Sequence, residues 1–149
     1  MRETGVRVAD TEADRADAYA VRHAVFVEGQ GVPEARERDG KDDGATHFLA
    51  CDDGRAIGAA RLREIDPGTG KIERVAVREP RRGEGWGRRL LRRVEAIARE
   101  RGLSTLVLHS QTHVEGFYAD LGYETVGDEF EDAGIPHVEM RKSLGGRGT

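Results

Sequence analysis

The chain has 149 residues, a formal net charge of −4, 35% charged and 37% hydrophobic residues, and one cysteine, Cys51. That length sets one domain with a single core, and the periodic placement of the apolar residues sets it apart from a disordered chain. No run approaches the roughly 18 apolar residues of a membrane helix, no signal peptide leads the chain, and one cysteine excludes an internal disulfide or a cysteine metal site. The expectation is a cytoplasmic protein without a membrane partner. An acidic chain also lacks a general nucleic-acid footprint, although residues 78–93 form a basic patch suited to an anionic cofactor.

In chain order, residues 5–9 alternate as a short strand. Thr11, with Glu12 and Asp14 behind it, reads as a capped helix start. The helix carries Ala18, Val21, Val25 and Phe26 on one side and is expected to end near Val27. Residues 28–45 lack periodicity but hold Gly29, Gly31, Pro33, Gly40 and Gly44 among many charges, as a lid or binding loop does. Within it Arg38, Asp39, Asp42 and Asp43 read as solvated surface. Residues 46–51 form a strand in which His47 and Cys51 are ordinary strand residues, 52–54 a hairpin turn, and 56–63 the partner strand. Residues 66–70 are a strong turn signal.

Residues 72–77 are β-branched and apolar enough for a buried central strand, in which Glu73 reads as a solvent-facing glutamate. Pro80, Gly83, Gly85 and Gly87 break the chain. From Trp86 onward Leu90, Leu91, Val94, Ile97 and Ala98 recur at helical spacing opposite an arginine-rich face, until Gly102 ends the helix. Residues 104–109 read as a buried strand, 114–121 as a short helix, and 123–129 and 136–142 as the last strands. Residues 143–149 are expected to be a flexible tail, leaving a single domain over 1–142. The order β-α-β-β-β-α-β-α-β-β predicts a mixed sheet flanked by helices, α/β or α+β, and alternates less strictly than a doubly wound fold.

Strand, glycine loop and helix start together suit a phosphate, because glycines let backbone approach a ligand and the first helical amides are unpaired. Spacing decides among such loops. The Rossmann pattern needs Gly-x-Gly-x-x-Gly and the P-loop a Gly-Lys-Ser/Thr ending; neither fits here. Arg82-Gly83-Glu84-Gly85-Trp86-Gly87, after Val75-Ala76-Val77, resembles the acetyl-CoA pyrophosphate loop of the GNAT superfamily of N-acetyltransferases. The alternative is a glycine-rich turn with solvated arginines. A second block agrees with the first. Phe117-Tyr118 and Gly122-Tyr123 match the family's Asn-x-x-Ala-x-x-Phe-Tyr-x-x-x-Gly-Phe, with Gln111 at the asparagine position and Val114 replacing alanine. Arg22, Val25, Phe26 and Gln30 resemble an Arg-x-x-Val-Phe-x-x-Glu-Gln segment of ElaA-type acetyltransferases, with Gly29 at the glutamate position, and Gly134-Ile135-Pro136-His137 is similar to that group's C-terminal segment.

The resemblance implies a GNAT-like, mostly antiparallel central sheet and the following roles. The backbone of Val75, Ala76 and Val77 would pair with the pantetheine arm as an added strand. Amides of Gly83, Glu84, Gly85, Trp86, Gly87 and Arg88 would hold the pyrophosphate, with Arg81 or Arg82 adding charge. Gln111 would bond the pantetheine, or is simply a polar loop residue. Tyr118 would protonate the departing thiolate, or is a core aromatic, and an N–H near Val75 would meet the oxyanion. The base stays open among Glu131 and His137 on the acceptor side, Glu28, and Glu73. Arg22, His23, Phe26, Glu28 and Gln30 would meet the acceptor, although Arg22 and His23 alternatively cap the first helix. His109 and His113 straddle a strand end and a loop, so helical metal-ligand spacing does not apply and no metal is expected.

The expected activity is acetyl transfer from acetyl-CoA to a primary amine of a small molecule or peptide, by direct attack in a ternary complex, in a monomer or homodimer. A non-catalytic acyl-CoA sensor is the alternative. A nucleic-acid module built on residues 78–93 lacks interleaved aromatics beyond Trp86.

Overall fold

A computed structural model describes residues 3–145. The elements run β1 (Gly5–Val8), α1 (Glu12–Arg22), α2 (Glu34–Glu37), β2 (Thr46–Asp52), β3 (Arg55–Asp66), β4 (Thr69–Val77), α3 (Trp86–Glu100), β5 (Thr105–Gln111), α4 (Glu115–Asp120), β6 (Glu124–Asp132) and β7 (Ile135–Ser143). The strands form one seven-stranded sheet in the order β1-β2-β3-β4-β5-β7-β6. Every neighbouring pair is antiparallel except β4 with β5. This is the mixed α/β sheet flanked by helices that the sequence predicts.

Period-two alternation divides the core between the two faces. On one face Phe48, Ala50, Leu62, Ile72, Leu106, Leu108, Val138 and Met140 pack with Leu90, Leu91, Val94 and Ala98 of α3 and with Tyr118 of α4. On the other, Leu49, Cys51, Ala59 and Ala76 pack with Ala18 and Val21 of α1 and with Val25 beyond it. Thr11 caps α1 as expected, its Oγ1 accepting the Asp14 N–H at 3.1 Å.

Three local expectations need correction, and a fourth holds with a difference of form: the first helix ends near Val27, but beyond Arg22 it is a π-helical turn, His23–Glu28. Gly29 follows because a Cβ there would lie 2.6 Å from the Val25 carbonyl oxygen. The loop over residues 28–45 contains the short helix α2, where Pro33 starts the turn. The turn over 66–70 tightens to Pro67-Gly68, so β3 and β4 pair out to Asp66↔Thr69. The domain also extends past residue 142: Ser143 ends β7, and Leu144 is buried, with its N–H donating to Ser104 O at 2.9 Å. Residues 146–149 of the expected tail lie outside the described residues.

A bulge in β4 shapes everything that follows. Ala59 faces Ala76 and Arg61 faces Glu73, so Arg74 and Val75 together oppose Ala60, and Arg74 takes a positive φ of 58°. Parallel pairing of β4 with β5 runs from Thr69↔Thr105 to Ile72↔Leu108 and stops there. Beyond it the strands diverge, and backbone groups of β4 are left without a β5 partner.

Candidate active site

The splay between β4 and β5 is the open seam of the sheet, and three structures meet around it. The first is the start of α3. Gly85 sits at φ 90°, a conformation that disfavours any side chain, and turns the chain into the helix without a side-chain cap. The N–H groups of Trp86, Gly87 and Arg88 therefore have no intrahelical acceptor, at the positive end of the helix dipole. A Cβ on Gly87 would lie 3.1 Å from Phe117 Cζ, so glycine there lets α4 dock against this helix start. Arg81 pairs with Asp52 and with Glu84 at 2.9 Å. Arg82 donates to the carbonyl oxygen of Val77 at 2.9 Å. A cleft of about 410 Å³ lies between this loop and the π-helical turn, lined by Val25, Gly29, Gln30, Arg78, Pro80 and Arg82 among others.

The second is Tyr118 on α4. It is 9% exposed, makes edge contacts with Phe117 and Tyr123, and has no hydrogen-bond partner among the described residues. Burial pushes its phenol up to about 12, so it is a proton donor throughout the neutral range.

The third is the opposite face. Arg22 is fully buried, its Nε 2.7 Å from Glu37 and its Nη1 2.8 Å from Asp42. Arg61, equally buried, reaches Glu73 at 2.7 Å, Asp39 at 2.9 Å and Asp42 at 3.0 Å. Arg63 closes on Glu73 at 2.6 Å, and Arg74 on Asp39 at 3.2 Å. Burial alone would raise the Glu73 carboxyl, but hydrogen bonds and charge from Arg63 and Arg61 outweigh it and hold the group at about 2. Asp39 and Asp42 are lowered in the same way, against burial, by Arg61 and by Arg22 with Arg61.

This network overturns three sequence readings. Asp39 and Asp42 are not solvated surface, because the 28–45 loop folds them onto the sheet. Glu73 is not solvent-facing, and a carboxylate held that low is a poor base. Arg22 cannot reach an acceptor, because its guanidinium is spent on Glu37 and Asp42. One sequence signal could have shown it. Arg61 interrupts the apolar run 56–62 of β3, and a charge inside a buried run must be paired.

The other candidates are placed as follows. His23 is part-exposed between Glu28 at 3.9 Å and Glu34 at 3.8 Å. Phe26 packs against the α1-side core. Gln30 accepts from Gln111 Nε2 at 2.9 Å, joining the loop to the end of β5. Arg36 meets Asp132 at 3.2 Å, joining α2 to the β6–β7 hairpin. The loop thus bridges the splayed face at two points. His137 is buried, with Nδ1 2.7 Å from Ile135 O and its ring stacked on Phe130, whereas Glu131 is exposed on β6.

The ion network makes stability depend on pH. Asp39, Asp42 and Glu73 titrate lower when folded than when unfolded, so their contribution is full above about pH 5 and is lost as pH falls. His47 is buried and lowered by desolvation, and it binds its proton more readily unfolded. Its loss therefore begins as pH drops below about 6.5. Urea midpoints measured from pH 8 to pH 3 should fall gently below pH 6.5 and steeply below pH 5; a flat profile would contradict the network.

A family model described as "Acetyltransferase (GNAT) domain" matches residues 9–144. The chain is 38% identical over 136 residues to the uncharacterized N-acetyltransferase YjcF of Bacillus subtilis, covering 91% of this chain and 96% of that protein. A Lactobacillus plantarum protein solved as a candidate N-acetyltransferase superposes with TM-score 0.88 at 33% identity, over 96% and 99% of the two chains. Escherichia coli ElaA shares the fold at TM-score 0.80 and 24% identity, over 94% and 99%. With the splayed sheet, the glycine loop and a domain-length family match in agreement, the chain belongs to the GNAT acetyltransferase family of acyl-CoA N-acyltransferases.

Proposed function

We propose that this protein is an acetyl-CoA-dependent N-acetyltransferase that moves the acetyl group to a primary amine by direct attack within a ternary complex. The observation that carries this reading is the β4–β5 splay, which opens a strand edge between an uncapped helix start and a buried, protonated tyrosine. The pantetheine arm adds to β4 along Val75, Ala76 and Val77 and supplies the missing hydrogen bonds. Amides of residues 83–88 take the pyrophosphate. Arg82 now caps Val77 O; an incoming pantetheine amide displaces it and frees the guanidinium for phosphate. The carbonyl carbon then lies in the splay, where a β4 N–H near Val75 meets the oxyanion and Tyr118 protonates the sulfur. Gln111, Gln30, Glu28 and His23 border the acceptor side.

Calorimetric titration with acetyl-CoA and with CoA, on the wild type and on Gly85→Glu, tests the cofactor assignment. The glutamate brings a strained φ and a negative charge to the phosphate site, so affinity should fall at least about 100-fold. No wild-type binding would overturn the proposal. Thiol release in the presence of primary amines then separates an enzyme from an acyl-CoA sensor, which binds without turnover.

A further inference from the structure

Arg61 and Arg63 hold Glu73, which leaves the splayed seam without a free carboxylate base on β4. The next group along it is a histidine. His109 is the first β5 residue past the last β4–β5 pair, Ile72↔Leu108. Leu106 and Leu108 point into the α3-side core, so alternation turns His109 to the opposite face, away from Tyr118. It is about one-third exposed, with Nε2 3.4 Å from Oε1 of Glu139, its register partner on β7. Arg141 holds that carboxylate by a 3.0 Å hydrogen bond. Phe130 of β6 lies against the ring edge at 5.0 Å. A proton on Nε2, facing Glu139, leaves the Nδ1 lone pair free, and Nδ1 has no hydrogen-bond partner among the described residues.

We propose that His109, oriented by Glu139, is the general base that takes the proton from the acceptor amine. This rests on the transfer reaction proposed above. An acceptor arriving as an ammonium loses one proton through His109 to solvent. The nitrogen lone pair forms the C–N bond, and the C–S bond breaks with its electron pair on sulfur. The second nitrogen proton, strongly acidic once the C–N bond has formed, passes to water while Tyr118 protonates the thiolate, and solvent returns a proton to the Tyr118 phenolate. The groups facing the imidazole support this. Burial lowers its proton affinity and so does Lys71 on β4; Glu139 raises it, His137 lowers it, and the balance is below the ordinary value, so the ring is neutral at pH 7.

The nucleophile distinguishes this role from a structural one. Hydroxylamine is already neutral at pH 7 and needs no first deprotonation, whereas n-propylamine does. Thiol release from acetyl-CoA is measured with each, after subtracting the uncatalysed rate, for wild type, His109→Gln and Glu139→Gln. His109→Gln should lose about 100-fold with propylamine, keep most of its rate with hydroxylamine, and lose the acidic limb of the pH–rate profile. Glu139→Gln should keep that limb but move it to lower pH. Equal losses with both nucleophiles, or an unchanged limb in His109→Gln, would overturn the assignment. Acetyl-CoA binding with wild-type silence toward both nucleophiles would overturn the transfer reaction and this inference with it, whereas absent binding would indict the cofactor site.

Discussion

Arg61→Ala should destabilise the protein by about 3–5 kcal/mol, because removing one partner leaves buried charges uncompensated. Arg61 is completely buried, and its guanidinium joins Asp39, Asp42 and Glu73. Deleting it leaves three carboxylates facing a desolvated hole, with Arg22, Arg63 and Arg74 only partly placed to neutralise them. For a domain of this size the loss corresponds to a Tm lower by about 10 °C. Arg99→Ala, on the exposed side of α3, is the control and should stay within about 0.5 kcal/mol. The effect should also reach the site. The network pins the loop that carries Gln30 and Arg36 across the splayed face, so the acceptor KM should rise while acetyl-CoA affinity holds. A variant that melts with the Arg99→Ala control would show that the network contributes nothing.

The glycine loop and the helix start it leads into were legible in the sequence, and the charged loop on the opposite face was not. Residues 82–87 could be read because glycine positions report backbone conformation directly: Gly85 at φ 90° and Gly87 against Phe117 are local requirements that leave a local mark. The strand order was legible for a similar reason, since period-two and helical spacing are written residue by residue. The 28–45 loop failed on both counts. It has no period, and Glu37, Asp39 and Asp42 acquire meaning only from Arg22, Arg61 and Arg74, which lie between 15 and 37 residues away in the chain. Composition made Asp39 and Asp42 look solvated; only the folding of the loop onto Arg61 of β3 shows that Asp42 is buried and Asp39 half-buried. His109 was dismissed on metal-ligand spacing alone. Its pairing with Glu139 spans two strands that sequence separates by a helix and a hairpin.

Tyr118→Phe should lower kcat about 100-fold or more, with acetyl-CoA affinity within about threefold of wild type. The argument is one of position and protonation. The hydroxyl has no hydrogen-bond partner among the described residues, so deleting it leaves no orphaned group behind and the fold should tolerate the change. What is lost is a donor kept protonated by burial up to about pH 12. A thiolate leaving without that proton departs as a charged group into a half-buried seam, and this cost falls on the transition state rather than on binding. The loss should therefore appear in kcat and kcat/KM together, and it should be constant from pH 6 to pH 9, because the tyrosine does not titrate in that range. A pH-dependent loss would assign the proton to another group, and full retention of kcat would make Tyr118 a packing residue of the core that α4 shares with α3.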